Sequence, residues 1–379
     1  MANIFVFAFD LTEASQVRRI KNLQTLGHDI QSAAFRRGNM NADFSPDWPN
    51  IDLGFVENEQ LGKRLVSILR GVLRMTRHRD ALKEADVIMA RNFDLLIIAW
   101  MSRVLSGAWR VPLVYECLDI HGLLTKTGPV GAMMRWCERR LLARVKLLIV
   151  SSPGFITHYF RAIQGYQGPY SIIENKLWFD ATPIARPKQR PQKADDVLTL
   201  GWVGSIRCGS SLRLLMEAAD ALPERIRIRV HGNVHRHALP AFDAEVAKHP
   251  NVICFGPYEY PTELAEVYAN CDLVWAQDLW QRGANSDWLL PNRIYEASWF
   301  GCPSIAVADT ETGRRVAAGH LGFTVADTKA KSLIDLLKGL DRGAITRVSD
   351  HLLATDGDEF MLRPNDLQTA LISVLPANR

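Results

Sequence analysis

At 379 residues, with 47% apolar and 23% charged content, the chain has length and composition for two globular domains with full cores. No run of about 18 or more uncharged apolar residues occurs, which excludes a spanning helix, and Met1–Asp10 lacks the basic region and cleavage site of a signal peptide. The net charge of +4 divides unevenly: residues 1–190 carry 26 Lys and Arg against 17 Asp and Glu, the remainder 19 against 24. A basic first half is a statement about partners rather than about fold.

The chain opens on an apolar strand, Asn3 to Phe9. Val17, Ile20, Leu23 and Leu26 then recur at helical spacing up to Gly27, and Ile30 to Phe35 reads as a second strand. This rhythm predicts a doubly wound α/β sheet, in which ligands meet the carboxyl ends of the strands. Asp10, Thr12 and Glu13 fall on that rim, either as ligand contacts or, for Asp10 and Thr12, as helix caps. Residues 39–59 are expected to form a loop with one short strand.

The segment 61–83 is expected as one helix. Leu61, Leu65, Ile68, Leu69, Val72 and Leu73 form its apolar stripe, beside Lys63, Arg64, Arg70, Arg74, Arg77, Arg79 and Lys83. That composition suits an anionic surface, and equally a core helix with a solvated basic back. Asp86 to Ala90 is a strand with Arg91 and Asn92 at its end, followed by a helix over 94–106 and a strand from Val111 to Tyr115. Its carboxyl-end loop, 116–122, holds Asp119 and His121, two proton-transfer groups at the rim. The alternative is a turn cap for Asp119 and a backbone partner for His121. A second basic amphipathic helix covers 129–146, with Met133, Met134, Trp136, Leu141 and Leu142 beside Arg135, Arg139, Arg140, Arg144 and Lys146. Strands at 147–151 and 171–176 flank a helix at 155–162.

Three prolines and many charges mark 181–196 as a linker. A second α/β series follows, with strands at 198–203, 226–230, 252–256, 272–276, 304–309 and 322–325. Gly204-Ser205-Ile206-Arg207 is a glycine turn that delivers a guanidinium at a strand mouth, which suits a diphosphate. It is neither a Walker loop nor a dinucleotide fingerprint. Residues 285–306 read as loop, helix and strand, with Pro291 in the first helical turn and Gly301 closing the helix at positive φ. The tail from 330 is helical with breaks near 343–358. The six cysteines are scattered, without a metal-ligand spacing, and read as reduced thiols of a cytosolic protein.

The ordered set of motifs resembles the GT-B glycosyltransferases, specifically family 4 and its relatives in bacterial exopolysaccharide synthesis. It consists of Val-Pro-Leu-Val-Tyr with its acid/His loop, Leu-Ile-Val-Ser-Ser-Pro, Ile-Ile-Glu-Asn-Lys, Leu-Gly-Trp-Val-Gly-Ser-Ile-Arg and Leu-Pro-Asn-Arg-Ile-Tyr-Glu-Ala-Ser-Trp-Phe-Gly-Cys-Pro. The resemblance spans nearly the whole chain. It implies an α/β protein of GT-B fold, two Rossmann-like doubly wound domains facing a central cleft. The first would cover 1–180 and the second 197–362, with a C-terminal helix, 363–379, that can cross back to the first.

The resemblance further implies a nucleotide-sugar donor, UDP-linked, on the second domain, with Glu296 for the ribose and Arg207 for the diphosphate. Gly204, Ser205, His231, Asp287, Leu289, Leu290, Asn292 and Arg293 complete the donor set. Asp10, Thr12, Glu13 and Arg91 stand on the acceptor side. Asp119 is the first choice for a general base and His121 the second if the reaction inverts. Two departures stand out: Trp288 occupies the place of the family's other glutamate, and Ser210 that of its usual lysine. The stereochemical course is therefore left open.

The expected activity is transfer of a hexose or uronic acid to a lipid-linked saccharide at the inner face of the plasma membrane. The basic segments 61–83 and 129–146 would face the anionic surface, with neither metal nor cofactor and no nucleic-acid partner. A nucleotide-sugar epimerase and a catalytically silent assembly subunit are the rival readings.

Overall fold

The computed structural model describes residues 1–36, 44–56, 61–179, 184–191 and 196–375. It forms two units, Met1–Glu174 with Leu362–Arg379, and Asn175–Met361.

In the first unit β1 (Asn3–Ala8), α1 (Ala14–Thr25), β2 (Asp29–Arg36), β3 (Asn50–Phe55), α2 (Leu61–Met75), α3 (Arg79–Lys83), β4 (Val87–Arg91) and α4 (Asn92–Leu105) come first. β5 (Leu113–Cys117), α5 (Gly122–Thr125), α6 (Pro129–Leu142), β6 (Leu147–Val150), a π-helical turn (Phe155–Arg161) and β7 (Tyr170–Ile172) follow. The sheet is parallel, ordered β3-β2-β1-β4-β5-β6-β7. Helices cover both faces of such a sheet, so β4, β5 and β6 are buried throughout, and apolar but for Arg91 and Glu116.

The helix expected over 61–83 is broken. Thr76 Oγ1 donates to the Leu73 carbonyl (2.7 Å), and a 3₁₀ turn over Thr76–His78 separates α2 from α3. The side chains of residues 61–64, Lys63 and Arg64 among them, lie outside the described set. The strand expected at 171–176 is the three-residue edge β7 instead. α6 is fixed to the core by Glu138, which accepts from Tyr115 Oη (3.0 Å), Tyr159 Oη and Gln164 Nε2. Burial pushes this carboxyl above its ordinary range, against the three hydrogen bonds.

The second unit contains β8 (Leu198–Val203), α7 (Gly209–Ala221), β9 (Ile226–His231), α8 (Phe242–Ala247), β10 (Val252–Gly256), α9 (Leu264–Ala269) and β11 (Leu273–Trp275). Then come α10 (Asn285–Trp288), α11 (Asn292–Trp299), β12 (Ser304–Val307), α12 (Glu311–Ala318), β13 (Gly322–Val325), α13 (Ala330–Gly339) and α14 (Arg342–Ala354). Its parallel sheet runs β10-β9-β8-β11-β12-β13. One core lies between the sheet and α7, α8 and α13; the other packs α9, α11 and α12 on the opposite face. The break expected near 343–358 is largely absent, because Asp341 Oδ1 caps α14 at the Ala344 N–H and the helix runs unbroken to Ala354.

The expected linker also needs correction. Pro183 lies outside the described residues, but 184–191 form a strap on the second unit, which begins at Asn175. Arg186 donates to the carbonyls of Leu352 (2.7 Å), Thr355 (2.8 Å) and Trp299 (3.3 Å), and its guanidinium lies 5.1 Å from the Trp299 ring. Arg190 donates to Phe300 (3.0 Å), Tyr268 (3.0 Å) and Cys271. These carbonyls sit at the carboxyl ends of α9, α11 and α14, where the helix dipole favours a cation. The last helix, α15 (Pro364–Leu371), returns to the first unit, buries Leu367 and Leu371, and pairs Gln368 Oε1 with His28 Nε2 (2.9 Å).

Candidate functional site

In an open doubly wound sheet, a crevice forms where successive connections leave in opposite directions. In the second unit that point lies between β8 and β11. The three strands on one side of it all end in glycines of positive φ: Gly204 (105°), Gly232 (132°) and Gly256 (77°). Their turns are laced together, the Gly204 N–H to the His231 carbonyl (2.8 Å) and the Gly232 N–H to the Gly256 carbonyl (2.7 Å). A Cβ on Gly232 would stand 1.8 Å from the Gly204 oxygen, so no other residue fits that approach.

Beyond the glycines the β8 and β9 loops pair once more, through Ile206 N–H to the Asn233 carbonyl and His235 N–H to the Ile206 carbonyl (both 2.9 Å). This brings Ser205 Oγ to 2.9 Å from His235 Nε2. Arg207 reaches Asp278 at the end of β11 (3.7 Å), and Asp278 is itself braced by Ser286 Oγ (2.6 Å) and the Trp280 N–H (2.7 Å). From α11, Arg293 Nη2 comes within 3.7 Å of where a Cβ on Gly204 would lie. Two guanidiniums, a hydroxyl, an imidazole and close-packed glycine backbone thus converge on one strand mouth.

The other expected donor residues are placed as follows. His231 is buried, stacked on Phe255 at 4.6 Å, and burial, with Arg229 adding to it, lowers its pKa to about 4. Glu296 is 6% exposed on α11 and accepts from Tyr268 Oη (3.0 Å). Asp287 turns back on its own loop, bound to Arg282 (2.7 Å) and the Gly283 N–H (2.8 Å). Leu289 and Leu290 bury their side chains ahead of α11, and the Leu289 carbonyl accepts from Thr312 Oγ1 (3.0 Å). Pro291 is the N-cap of α11, one place before the expected first turn, and Asn292 is the first helical residue.

The first unit gathers the remaining set at the carboxyl ends of β1, β4 and β5. Asp10 Oδ1 accepts from the Thr12 N–H (3.0 Å) and hydroxyl (2.9 Å), a closed turn leading into α1, with exposed Glu13 bound to Ser15. Arg91 lies inside the domain. Its Nε donates to Glu116 (3.0 Å) and its Nη1 to Gln16 (2.9 Å), while Arg19 Nε holds the other Glu116 oxygen (2.7 Å). Burial raises the Glu116 pKa, but the two guanidiniums outweigh it and hold the carboxyl below its ordinary range. Asp119 is exposed on the following loop. His121 Nδ1 accepts the Leu123 N–H (3.2 Å) and caps α5. A neutral imidazole bonded this way carries its proton on Nε2, which makes it a donor rather than a base.

Sequence reasoning missed Arg19, His235, Asp278 and Tyr268. The only signal for Asp278 was its place at a strand end; the others are brought in by tertiary pairing.

A family model described as a glycosyl transferase 4-like domain matches residues 16–175. The succinoglycan biosynthesis protein ExoL of Rhizobium meliloti (strain 1021) is 35% identical over 341 residues, covering 89% of this chain and 84% of ExoL. Among solved structures, Anabaena HepE in complex with UDP and glucose superposes with a TM-score of 0.72 at 14% identity, covering 98% of this chain and 99% of HepE. Sucrose-phosphate synthase from Thermosynechococcus elongatus gives the same score and identity, covering 98% of each chain. Two parallel Rossmann-like sheets, a glycine-rich strand mouth and these likenesses together place the chain among the family 4-like glycosyltransferases of exopolysaccharide synthesis, built on the GT-B fold.

Proposed function

We propose that the protein transfers a hexose or uronic acid from a nucleoside-diphosphate sugar, UDP-linked, to a lipid-linked saccharide at the inner face of the plasma membrane. The observation that carries this reading is the convergence of Arg207, Arg293 and the Gly204–Gly232 turns on one strand mouth. Two guanidiniums beside glycine turns that let a ligand approach the backbone closely are the complement of a diphosphate's shape and charge. HepE, crystallised with UDP and with UDP-glucose, supports the choice of nucleotide. Glu296, oriented by Tyr268, takes the ribose. In the first unit, exposed Asp119 is the group for proton removal from the acceptor hydroxyl, with His121 beside it on the same loop.

The membrane part of the proposal rests on exposed apolar side chains set among cations. Leu65, Val66, Leu69 and Leu73 of α2 are exposed beside Arg70 and Arg74; Met133 and Trp136 of α6 are exposed, with Arg140 5.3 Å from the Trp136 ring. Both helices pack on α4. Exposed apolar side chains set among cations suit an anionic interface.

The test is a panel of nucleotide sugars scored for hydrolysis and thermal stabilisation, run on wild type, Glu296→Gln and Asp119→Asn. Wild type is expected to respond to a UDP-sugar. Glu296→Gln, which leaves Tyr268 a partner, should weaken the donor by about 10- to 100-fold, the worth of a hydrogen bond to a charged group. Asp119→Asn should lower turnover with donor affinity kept. Unchanged kinetics in either variant removes that residue from its role.

A further inference from the structure

A place beside the mouth is filled by chemistry that no family motif supplies. Ser210, the second residue of α7, is uncharged and delivers no cation to the mouth from that position. The β9 loop does bring a group there. The Ile206–Asn233 and Ile206–His235 backbone pairs clamp the two loops in register, and His235, half-buried, meets Ser205 at 2.9 Å.

We propose that His235, together with the Ser205 hydroxyl it touches, is a diphosphate-binding group of this enzyme, and that His235 takes up a proton when a nucleoside diphosphate binds. The proposal rests on the donor reading above.

The hydrogen-bond inventory explains why. With neutral His235, one proton is shared in the Ser205–His235 contact, and either the hydroxyl or Nε2 is spent as donor. Protonated His235 donates to Ser205 through Nε2, which turns the hydroxyl proton outward. Nδ1–H then becomes a second outward donor, and a positive charge appears beside Arg207. In the unliganded protein that charge is opposed by burial, by Arg207 on the β8 loop and by His237 on the β9 loop, 5.5 Å away ring to ring. The nearby acids are already engaged, Asp278 with Arg207 and Asp243 of α8 with Arg236. A diphosphate placed against Arg207 reverses the balance, because its two negative phosphates now face the imidazole. Binding should therefore tighten as pH falls from about 8 to about 6, the range in which histidine titrates.

Isothermal titration of the full chain with UDP, and in parallel with GDP, ADP and dTDP, tests this in two buffers of different ionisation enthalpy at about pH 7. Wild type should take up a fraction of a proton per nucleotide bound. His235→Asn should bind about tenfold more weakly at about pH 6.5, show no such uptake, and converge on wild type at about pH 8. His235→Gln repeats the measurement with a different side chain in case one variant folds poorly. His237→Asn should leave uptake intact. Nucleotide binding with no proton uptake by wild type overturns the proposal, as does uptake retained in both His235 variants or lost only in His237→Asn. If none of the four nucleotides binds, the donor reading falls and this proposal with it; if one binds while the His235 variants match wild type, only the proposal falls.

Discussion

His231 is held neutral by its surroundings: its ring stacks on Phe255 and its Nε2 lies 3.4 Å from Arg229 Nε. Its folded pKa is about 4, against 6.5 for the free side chain. Between these values the unfolded chain binds the extra proton, so stability should fall as pH drops from about 6.5 towards 4, by on the order of 1–3 kcal/mol. Denaturant titrations of wild type and His231→Gln over that range would check this; the variant should show a flatter profile. The residue scale is also where sequence reading was least complete. Glu296 could be singled out because its helix carries turn, cap and glycine signals within twenty residues, but its partner Tyr268 lies 28 positions away. Asp287 enters the donor set through the resemblance; its carboxylate closes its own loop on Arg282, five residues earlier, a choice that hydropathy does not encode.

At the scale of elements, periodicity was a good guide wherever one face of an element is buried. β1, β4, β5 and β8 fall within a residue or two of their apolar runs, and the switch-point crevice follows from their order. It failed where polar side chains decide, as at Thr76, which ends α2 early, and Asp341, which keeps α14 whole. The strap over 184–191 was read as a linker because proline and charge dominate it, yet its arginines find helix-end carbonyls that only the folded second unit presents. α2 has both faces committed, Ile68, Val72 and Met75 inward and Leu69 and Leu73 outward, the last 66% exposed. Charge reversal at Arg70, Arg74 and Arg77 should therefore leave the fold intact while cutting co-sedimentation with anionic liposomes severalfold at low salt, each basic residue near such a surface contributing about 1 kcal/mol. Wild type that stays in the supernatant at every salt concentration would defeat the membrane proposal.

At the scale of the molecule, the second unit is inserted between two segments of the first, which is completed only by α15. Leu371 is fully buried there. Leu371→Ala should cost about 2–5 kcal/mol, the usual range for a buried leucine, and the damage should be local. Hydrogen exchange should quicken in α1, against which α15 packs, and stay unchanged in α7 and α11 of the second unit. Equal loss of protection in both units would contradict the division described above.

The same insertion sets an order of assembly on the ribosome. Residues 175–361 emerge as one uninterrupted stretch and can close on themselves as soon as α14 and the segment after it have cleared the exit tunnel. The unit begun by β1 must wait, its seam beside α1 open, for a helix translated after the whole of its neighbour. A chain cut between 361 and 364 would therefore carry the whole of the second unit and leave the first without α15, its seam beside α1 open.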